Sequence, residues 1–288
     1  MTDVQLTTRA IRIWLLIAGT LVLIIGTALF LAPEQTDRLF AWTIAPPNNR
    51  YLTAAFLGAA YWAGSVLEFL AARERVWANA RVAIPAVWVF TTLTLIATLM
   101  HLNLFHLNPP LGTPAGPLTV SLTYVWLAVY AIVPIAVPIM VAIQRRAPGG
   151  DPPRLAPLPG WLRAILIIQA ALLIGLGTIM FLAPPLGAPL WPWALTPLTS
   201  RAVAAWLVGI GVAAAQMAWE NDLVRVRVAF RAYVAIAVLQ AIALLRYLGD
   251  VRLDDPRLWL YLVGVTSFLV VGLLGLWLQP SAAQTQGR

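Results

Sequence analysis

The stretch GTALFLAPEQTDRLFAWTIAPPNNR at residues 26–50 recurs as GTIMFLAPPLGAPLWPWALTPLTSR at residues 177–201. Both copies belong to a longer ungapped alignment of residues 12–58 with residues 163–209, in which 16 of the 47 pairs are identical. An internal repeat of this kind indicates one structural unit that is present twice. We therefore predict three regions: a first repeat at 1–147, a proline-rich linker at 148–160 and a second repeat at 161–288.

The composition is typical of a polytopic membrane protein. Hydrophobic residues make up 61% of the 288 residues, and charged residues only 10%. Cysteine is absent, which excludes disulfides, thiolate metal sites and cysteine nucleophiles. All 19 basic residues are Arg, so no lysine can form a Schiff base or act as a general base. The net charge is +8, and the arginines lie in short loops between the apolar stretches. Membrane topology and lipid headgroups therefore explain the positive charge better than binding to nucleic acid does.

Eight apolar stretches are each long enough to cross a bilayer as a helix, which takes about 20 residues. They cover residues 12–32, 52–72, 80–104, 118–144, 161–183, 201–219, 228–248 and 258–279. The sequence thus predicts an all-α polytopic membrane bundle of eight transmembrane helices, arranged as two parallel four-helix repeats.

The placement of the arginines predicts how the bundle is oriented. Thirteen Arg residues fall on the side that carries both termini and the linker, and six fall on the opposite side. The positive-inside rule then predicts a multi-pass protein of the bacterial inner (cytoplasmic) membrane with both termini in the cytoplasm. Because each repeat has four spans, both copies insert the same way up, related by a pseudo-twofold axis along the membrane normal.

The loop after the first helix of each copy is the best-preserved part of the repeat. Its repeated residues are Pro33, Trp42, Pro46 and Arg50 in the first copy, and Pro184, Trp193, Pro197 and Arg201 in the second. The tryptophans, with Phe40 and Trp191 beside them, suit the headgroup layer of a membrane. We interpret the loop as an interfacial segment that holds two helices at a fixed depth. A lid or docking surface on the outer face is the alternative.

Two glycines occupy equivalent places in the second helix of each copy. Gly58 lies in a Gly-Ala-Ala run, and Gly209 lies in a Gly-x-Gly motif. Small residues let membrane helices approach closely, so we predict that both glycines are helix-packing contacts.

Ionisable residues inside a membrane are candidates for function. Glu68 and Glu220 lie near the predicted cytoplasmic ends of the second and sixth spans, and Arg12 and Arg163 begin the first and fifth. This placement predicts two structural ion pairs, Arg12–Glu68 and Arg163–Glu220. A proton or cation site at the carboxylates is the competing interpretation.

His101 and His106 are the only histidines of the chain. Five positions on a helix separate their directions by roughly 140°, so they cannot hold one ion from a single face. An interfacial, hydrogen-bonded role is therefore the expectation, and ligation of a pigment or a single-ligand haem by one of them is the alternative. The sequence predicts no metal site, no cofactor and no catalytic residue.

The fourth helices of the two copies differ. The first carries Pro134 and Pro138, each of which removes a helix hydrogen bond and favours a kink, whereas the second carries Gly272 and Gly275. This asymmetry indicates that any pocket belongs to one copy rather than to both.

Each copy has an Arg before its first helix and a Phe-x-Ala-Pro motif after it, and its second helix ends in a late Glu. In these features the chain resembles the DoxX-like bacterial four-helix membrane proteins, here duplicated in tandem. The resemblance implies the fold and, for some members, work beside respiratory or redox partners. The chain departs from the family pattern in the wider spacing of Gly64 and Glu68, and in Ala215 and Gln216 before Glu220. The match therefore concerns the fold more than the function.

Three functions stay open. The first is a non-catalytic bundle that packs with partner membrane proteins, or with further copies of itself, or holds a lipid-like ligand. The others are a small-solute or ion transporter and a membrane subunit of a redox or pigment-binding complex. We favour the first, because catalytic groups do not converge in the sequence and four of the eight spans have no charge in their interiors. Membrane lipids are the expected partners, and nucleic acid is not.

Overall fold

The structure, a computed structural model, describes residues 4–44, 51–110 and 112–280. Its regular secondary structure is helical, and eight helical spans within these residues are long and apolar enough to cross a membrane. Their long helices are α1 Arg9–Leu31, α2 Leu52–Arg73, α3 Ile84–Met100, α4 Pro117–Arg145, α5 Gly160–Leu182, α6 Pro197–Glu220, α7 Arg227–Arg246 and α8 Pro256–Trp277. The protein is a multi-pass membrane protein with an all-α fold, which confirms the predicted fold class and the eight spans.

The helices of the two sequence halves are interleaved. Within each half, α1 packs along α2 and α5 along α6, while α4 packs on α3 and α8 on α7. The other extensive contacts cross between the halves, since α2 packs on α7 and α6 packs on α3. The halves therefore share one bundle, and the domain boundaries at the linker stay a prediction from the sequence repeat. We call the side on which α1 begins the linker side, and the opposite side the loop side.

The second helix of each half lies at the centre of the bundle. About two thirds of the span is buried in α2 and in α6 (67% each), against 17% in α4. Each of these two helices contains nine Ala or Gly residues. Small side chains allow close helix contact and contribute little apolar surface to lipid, which explains why these two helices are enclosed by the others.

Gly58 and Gly209 both lie where two helices approach closely. A Cβ atom at Gly58 would stand 2.5 Å from the backbone nitrogen of Phe30 in α1. A Cβ atom at Gly209 would stand 3.2 Å from Cβ of Phe90 in α3. Gly58 thus packs within its own half of the sequence, and Gly209 packs against the other half.

The repeated loops fold inward on the loop side. After α1 the chain forms the turns Pro33–Gln35 and Thr36–Leu39, and it then buries Phe40 and Trp42. Both rings lie 5.1 Å from the ring of Trp126 in α4. Pro46 and Arg50 lie outside the described residues.

The second loop follows the same course. Pro184 begins the turn Pro184–Gly187, and Pro197 begins α6. Trp191 and Trp193 are buried, and their rings lie 5.7 and 5.4 Å from the ring of Tyr261 in α8. Protein, rather than lipid headgroups, surrounds these aromatic side chains, and their depth in the membrane stays a prediction. Their large apolar surfaces are stabilised by burial between helix ends, so each loop closes the loop side of the bundle.

Substitution of Gly58 by Ala is expected to lower the free energy of unfolding by about 1–3 kcal/mol. The added methyl group meets the backbone of α1, which cannot swing aside as a flexible side chain could. Gly264→Ala in α8 is the matched control, because its Cβ would enter open space. Thermal unfolding in detergent measures both variants, and equal melting temperatures would contradict the assigned contact.

Candidate functional site

An apolar cavity of about 400 Å³ lies in the linker-side half of the bundle. Six helices line it: α1, α2, α3, α4, α6 and α7. Its wall consists mainly of Ala, Val, Leu and Ile side chains together with the rings of Trp14, Phe90 and Trp206. Its volume falls within the range of about 300–1,000 Å³ that is usual for small-molecule sites.

The cavity opens on the outer surface of the bundle between α1 and α4. Ile17 of α1 and Ile132 of α4 both line it, yet 55% and 60% of their surfaces are exposed. The two helices make few contacts with each other, so a gap remains between them. Both isoleucines lie within apolar spans, so we expect the opening to face hydrocarbon rather than water.

The proline-containing helix borders this opening. Pro138 has no N–H group, so the carbonyl of Pro134 loses its helical partner. That carbonyl instead accepts a hydrogen bond from the indole N–H of Trp88 in α3, at 3.0 Å. The prediction that any pocket belongs to one copy is wrong, because the interleaving of the halves brings α6 and α7 of the second copy into the wall. The cavity does border the helix that carries the prolines.

Two buried polar side chains in the cavity wall lack hydrogen-bond partners. Glu68 is 3% exposed, and its Oε2 atom has no partner. Tyr233 of α7 is 4% exposed, and its hydroxyl group has no partner either. Unpaired buried polar groups cost free energy, so a molecule in this cavity that formed hydrogen bonds with Glu68 and Tyr233 would recover part of that cost.

Tyr130 adds a further hydroxyl group to the wall. Its oxygen lies 2.6 Å from that of Tyr61, and both rings are buried. In a pair of this kind one hydroxyl donates to the other, so one proton is left to donate elsewhere. Sequence reasoning considered carboxylates, amides and histidines but not tyrosines. Tyrosines within apolar spans were the signal that pointed to this wall.

The two predicted ion pairs do not form. Arg12 Nε donates to the carbonyl of Ala72 at 2.9 Å, and Arg163 Nε donates to that of Ala218 at 3.1 Å. Each arginine thus binds carbonyl groups in the last turn of its neighbouring helix, where the negative end of the helix dipole favours a cation. Arg12 and Arg163 therefore occupy equivalent positions in the two copies, as the repeat predicts. Their hydrogen-bond acceptors are backbone carbonyl groups rather than carboxylates.

Glu220 instead pairs with arginines that the sequence did not suggest. Its carboxylate accepts from Arg81 Nη2 at 2.8 Å, from Arg225 Nη1 at 3.1 Å and from Gln216 Nε2 at 3.0 Å. Arg81 belongs to the turn Arg81–Ala83 before α3, so this contact joins the two halves on the linker side. Arg227 and Glu74 form a second ion pair between the halves, at 3.0 Å.

Arg201 and the two histidines lie on the loop side, far from Glu68 along the helices. Nη1 of Arg201 lies 2.8 Å from Nε2 of His101, and the guanidinium must be the donor. Nε2 of His106 lies 3.2 Å from the hydroxyl of Thr43. Neither histidine lines the cavity, and the described residues hold no group of three His, Asp or Glu side chains that could bind a metal ion.

In comparisons with known proteins, no family model, no curated protein and no solved structure matches the chain. The DoxX-like resemblance stays a prediction from the residues that suggested it.

Glu220→Gln is expected to lower the free energy of unfolding by about 1–3 kcal/mol, since it leaves Arg81 and Arg225 with only the exposed carboxylate of Asp151 as an anionic partner. Glu68→Gln is the matched variant, because that carboxyl has no cationic partner and an amide of similar shape can replace it at a cost below about 1 kcal/mol. Thermal unfolding in detergent compares the two. A larger loss for Glu68→Gln would contradict the assignment of the ion cluster.

Acid is expected to destabilise the contact between His101 and Arg201. Burial of the ring and the positive charge of Arg201 lower the pKa of His101 below its ordinary value of 6.5. The neutral ring is therefore the native form, and its contribution is complete above pH 6.5 and lost as the pH falls through the folded-state pKa.

The melting temperature of the native protein should fall as the pH is lowered from about 6.5 to about 5. His101→Gln should flatten that part of the profile. His106→Gln is the comparison and should flatten the profile less, because burial also lowers the pKa of His106 but its ring nitrogen faces Thr43 rather than a cation. An unchanged slope in His101→Gln would contradict the assignment.

Proposed function

We propose that this protein is a non-catalytic membrane bundle that holds a lipid-like molecule between its helices. The observation that carries the proposal is the apolar cavity of about 400 Å³ with the unpaired carboxyl of Glu68 in its wall. A bound amphiphile would cover the apolar wall and would supply the hydrogen-bonding partners that Glu68 and Tyr233 lack. Both costs of an empty cavity, lost packing and unpaired polar groups, would then be offset.

The position of the opening supports entry from the membrane. A molecule dissolved in the bilayer could pass between α1 and α4 at Ile17 and Ile132 without crossing water. The same route would exclude strongly polar solutes, which partition poorly into hydrocarbon. The geometry therefore favours a hydrophobic ligand over the small polar solute of a conventional transporter.

The placement of the titratable groups supports a role without catalysis. An active site brings a nucleophile or an acid–base pair within hydrogen-bonding reach of one reacting atom. Here Glu68 lies near the linker-side end of α2, whereas both histidines lie beyond the loop-side end of α3. The tyrosine hydroxyls of the wall have no base as a hydrogen-bonding partner among the described residues.

We also propose the bacterial inner membrane as the location, with the linker side and both termini in the cytoplasm. The excess of arginine on the linker side supports this orientation. Equivalent pairs of helices pack alike in the two halves, α1 on α2 as α5 on α6 and α2 on α7 as α6 on α3, which supports the pseudo-twofold repeat. The outward apolar faces of α4 and α8 would contact lipid, a partner membrane protein or another copy of the chain.

Native mass spectrometry of the gently extracted protein tests the ligand. We expect a bound adduct of lipid-like mass on the native protein. Ala128→Trp places a large ring in the opening of the cavity and should weaken binding of the adduct by roughly 5- to 150-fold, which corresponds to a steric clash of about 1–3 kcal/mol. Ala131→Trp is the matched control on the same helix, since Ala131 is exposed and does not line the cavity.

Two results would overturn the proposal. The first is a native protein that carries no adduct after extraction in several mild detergents. The second is an adduct that the Ala128→Trp and Ala131→Trp proteins retain equally, which would place the bound molecule elsewhere on the surface.

A further inference from the structure

The charge of the cavity wall points to the chemical class of the ligand. All of the residues that line the cavity lie in described helices, and Glu68 is the one Asp, Glu, Arg or Lys among them. An anionic headgroup would therefore meet no cation in the wall, in a protein that otherwise carries 19 arginines. A positively charged group would meet the one side chain that can become its counter-ion.

The groups that face Glu68 leave it available for such a role. Tyr130 of α4 lies close enough to interact with it electrostatically, and Tyr233 of α7 lines the same cavity. On α1, the guanidinium of Arg12 is hydrogen-bonded to the carbonyl of Ala72. Hydroxyl groups but no cation thus accompany Glu68 in the wall, and the described residues give its Oε2 atom no partner.

The aromatic side chains of the wall favour the same class of ligand. The rings of Trp14, Phe90, Tyr130 and Trp206 all line the cavity. The face of an aromatic ring attracts a cation, and this attraction strengthens when water is excluded. A neutral polyol, in contrast, would leave most of its hydroxyl groups unpaired against the apolar wall.

We propose that the cavity binds a lipophilic organic cation, with the carboxylate of Glu68 as its counter-ion and the aromatic rings around its apolar body. This inference rests on the proposed function and names the ligand class of that same cavity. An ionised carboxylate is costly in an empty apolar cavity, so the empty site holds Glu68 in its protonated form. Binding of the cation then breaks the O–H bond of Glu68 and releases one proton to water, and the net charge of the site is unchanged.

Tetraphenylphosphonium is a suitable probe, because it is a cation at every pH and cannot donate a proton itself. Its binding to the full-length protein in lipid nanodiscs can be measured by isothermal titration calorimetry in buffers of different ionisation enthalpy. We expect release of one proton for each bound cation. While Glu68 is protonated in the empty site, the affinity should rise by about tenfold for each unit increase in pH.

Glu68→Gln should lower the affinity for tetraphenylphosphonium by at least about tenfold. It should also abolish proton release, because an amide cannot become an anion. Glu68→Asp should retain proton release with weaker binding. Glu34→Gln is the control, since Glu34 is an exposed carboxylate outside the cavity. Size-exclusion profiles of the three variants verify that each one folds.

The inference is overturned if Glu68→Gln binds the cation as tightly as the native protein, or if binding releases no proton. Its failure can be told apart from that of the proposed function. An adduct that is lost in Ala128→Trp but retained in Glu68→Gln, together with no binding of tetraphenylphosphonium, would keep the lipid-holding function and reject a cationic ligand. Absence of both the adduct and the cation would reject both proposals.

Discussion

The contact between the second helix of one half and the third helix of the other is the constraint on which the rest of the fold depends. On one side α2 meets α7, where Gln240 donates to the carbonyl of Phe56 at 3.0 Å. On the other α6 meets α3, where Gly209 allows close approach to Phe90. Between apolar helices in lipid, close packing and interhelical hydrogen bonds supply the stability. Because these contacts cross between the halves, neither half encloses the cavity alone, and its ring of helices needs α6 and α7 as well as α1 to α4.

Glu68 and Glu220 show how tertiary surroundings give two similar carboxyls opposite roles. Both lie near the linker-side ends of central helices, and both are buried. Arg81 reaches Glu220 because the turn before α3 lies against α6, and Arg225 follows closely in the chain. Glu220 is therefore the centre of an ion cluster that joins the halves. Glu68 faces an apolar cavity, so it has no such partner and remains free for a bound molecule.

The two halves also differ in what lies between their first and fourth helices, although neither pair of helices makes many contacts. Gln169 of α5 donates to the hydroxyl of Ser267 in α8 at 3.0 Å, which joins these two helices. In the first half the cavity reaches the surface between α1 and α4, at the exposed side chains of Ile17 and Ile132. The prolines of α4 contribute to this difference. Because Pro138 has no N–H group, the carbonyl of Pro134 accepts a hydrogen bond from Trp88 of α3 instead of one within the helix. A duplicated unit has thus become asymmetric at the place where a ligand would enter.

The sequence by itself determined the helical membrane fold, the eight spans, the equivalent residues of the two copies and the asymmetry of the fourth helices. These depend on apolar length, on spacing along the chain and on proline chemistry, all of which are local properties. Tertiary structure alone decided the partners of Arg12, Arg163 and Glu220, the burial of Trp42 and Trp193, and the grouping of Glu68 with Tyr130 and Tyr233. The physical reason is that these contacts join helices far apart in the chain. The interleaving of the halves, which brings those helices together, leaves no periodic signal in the sequence.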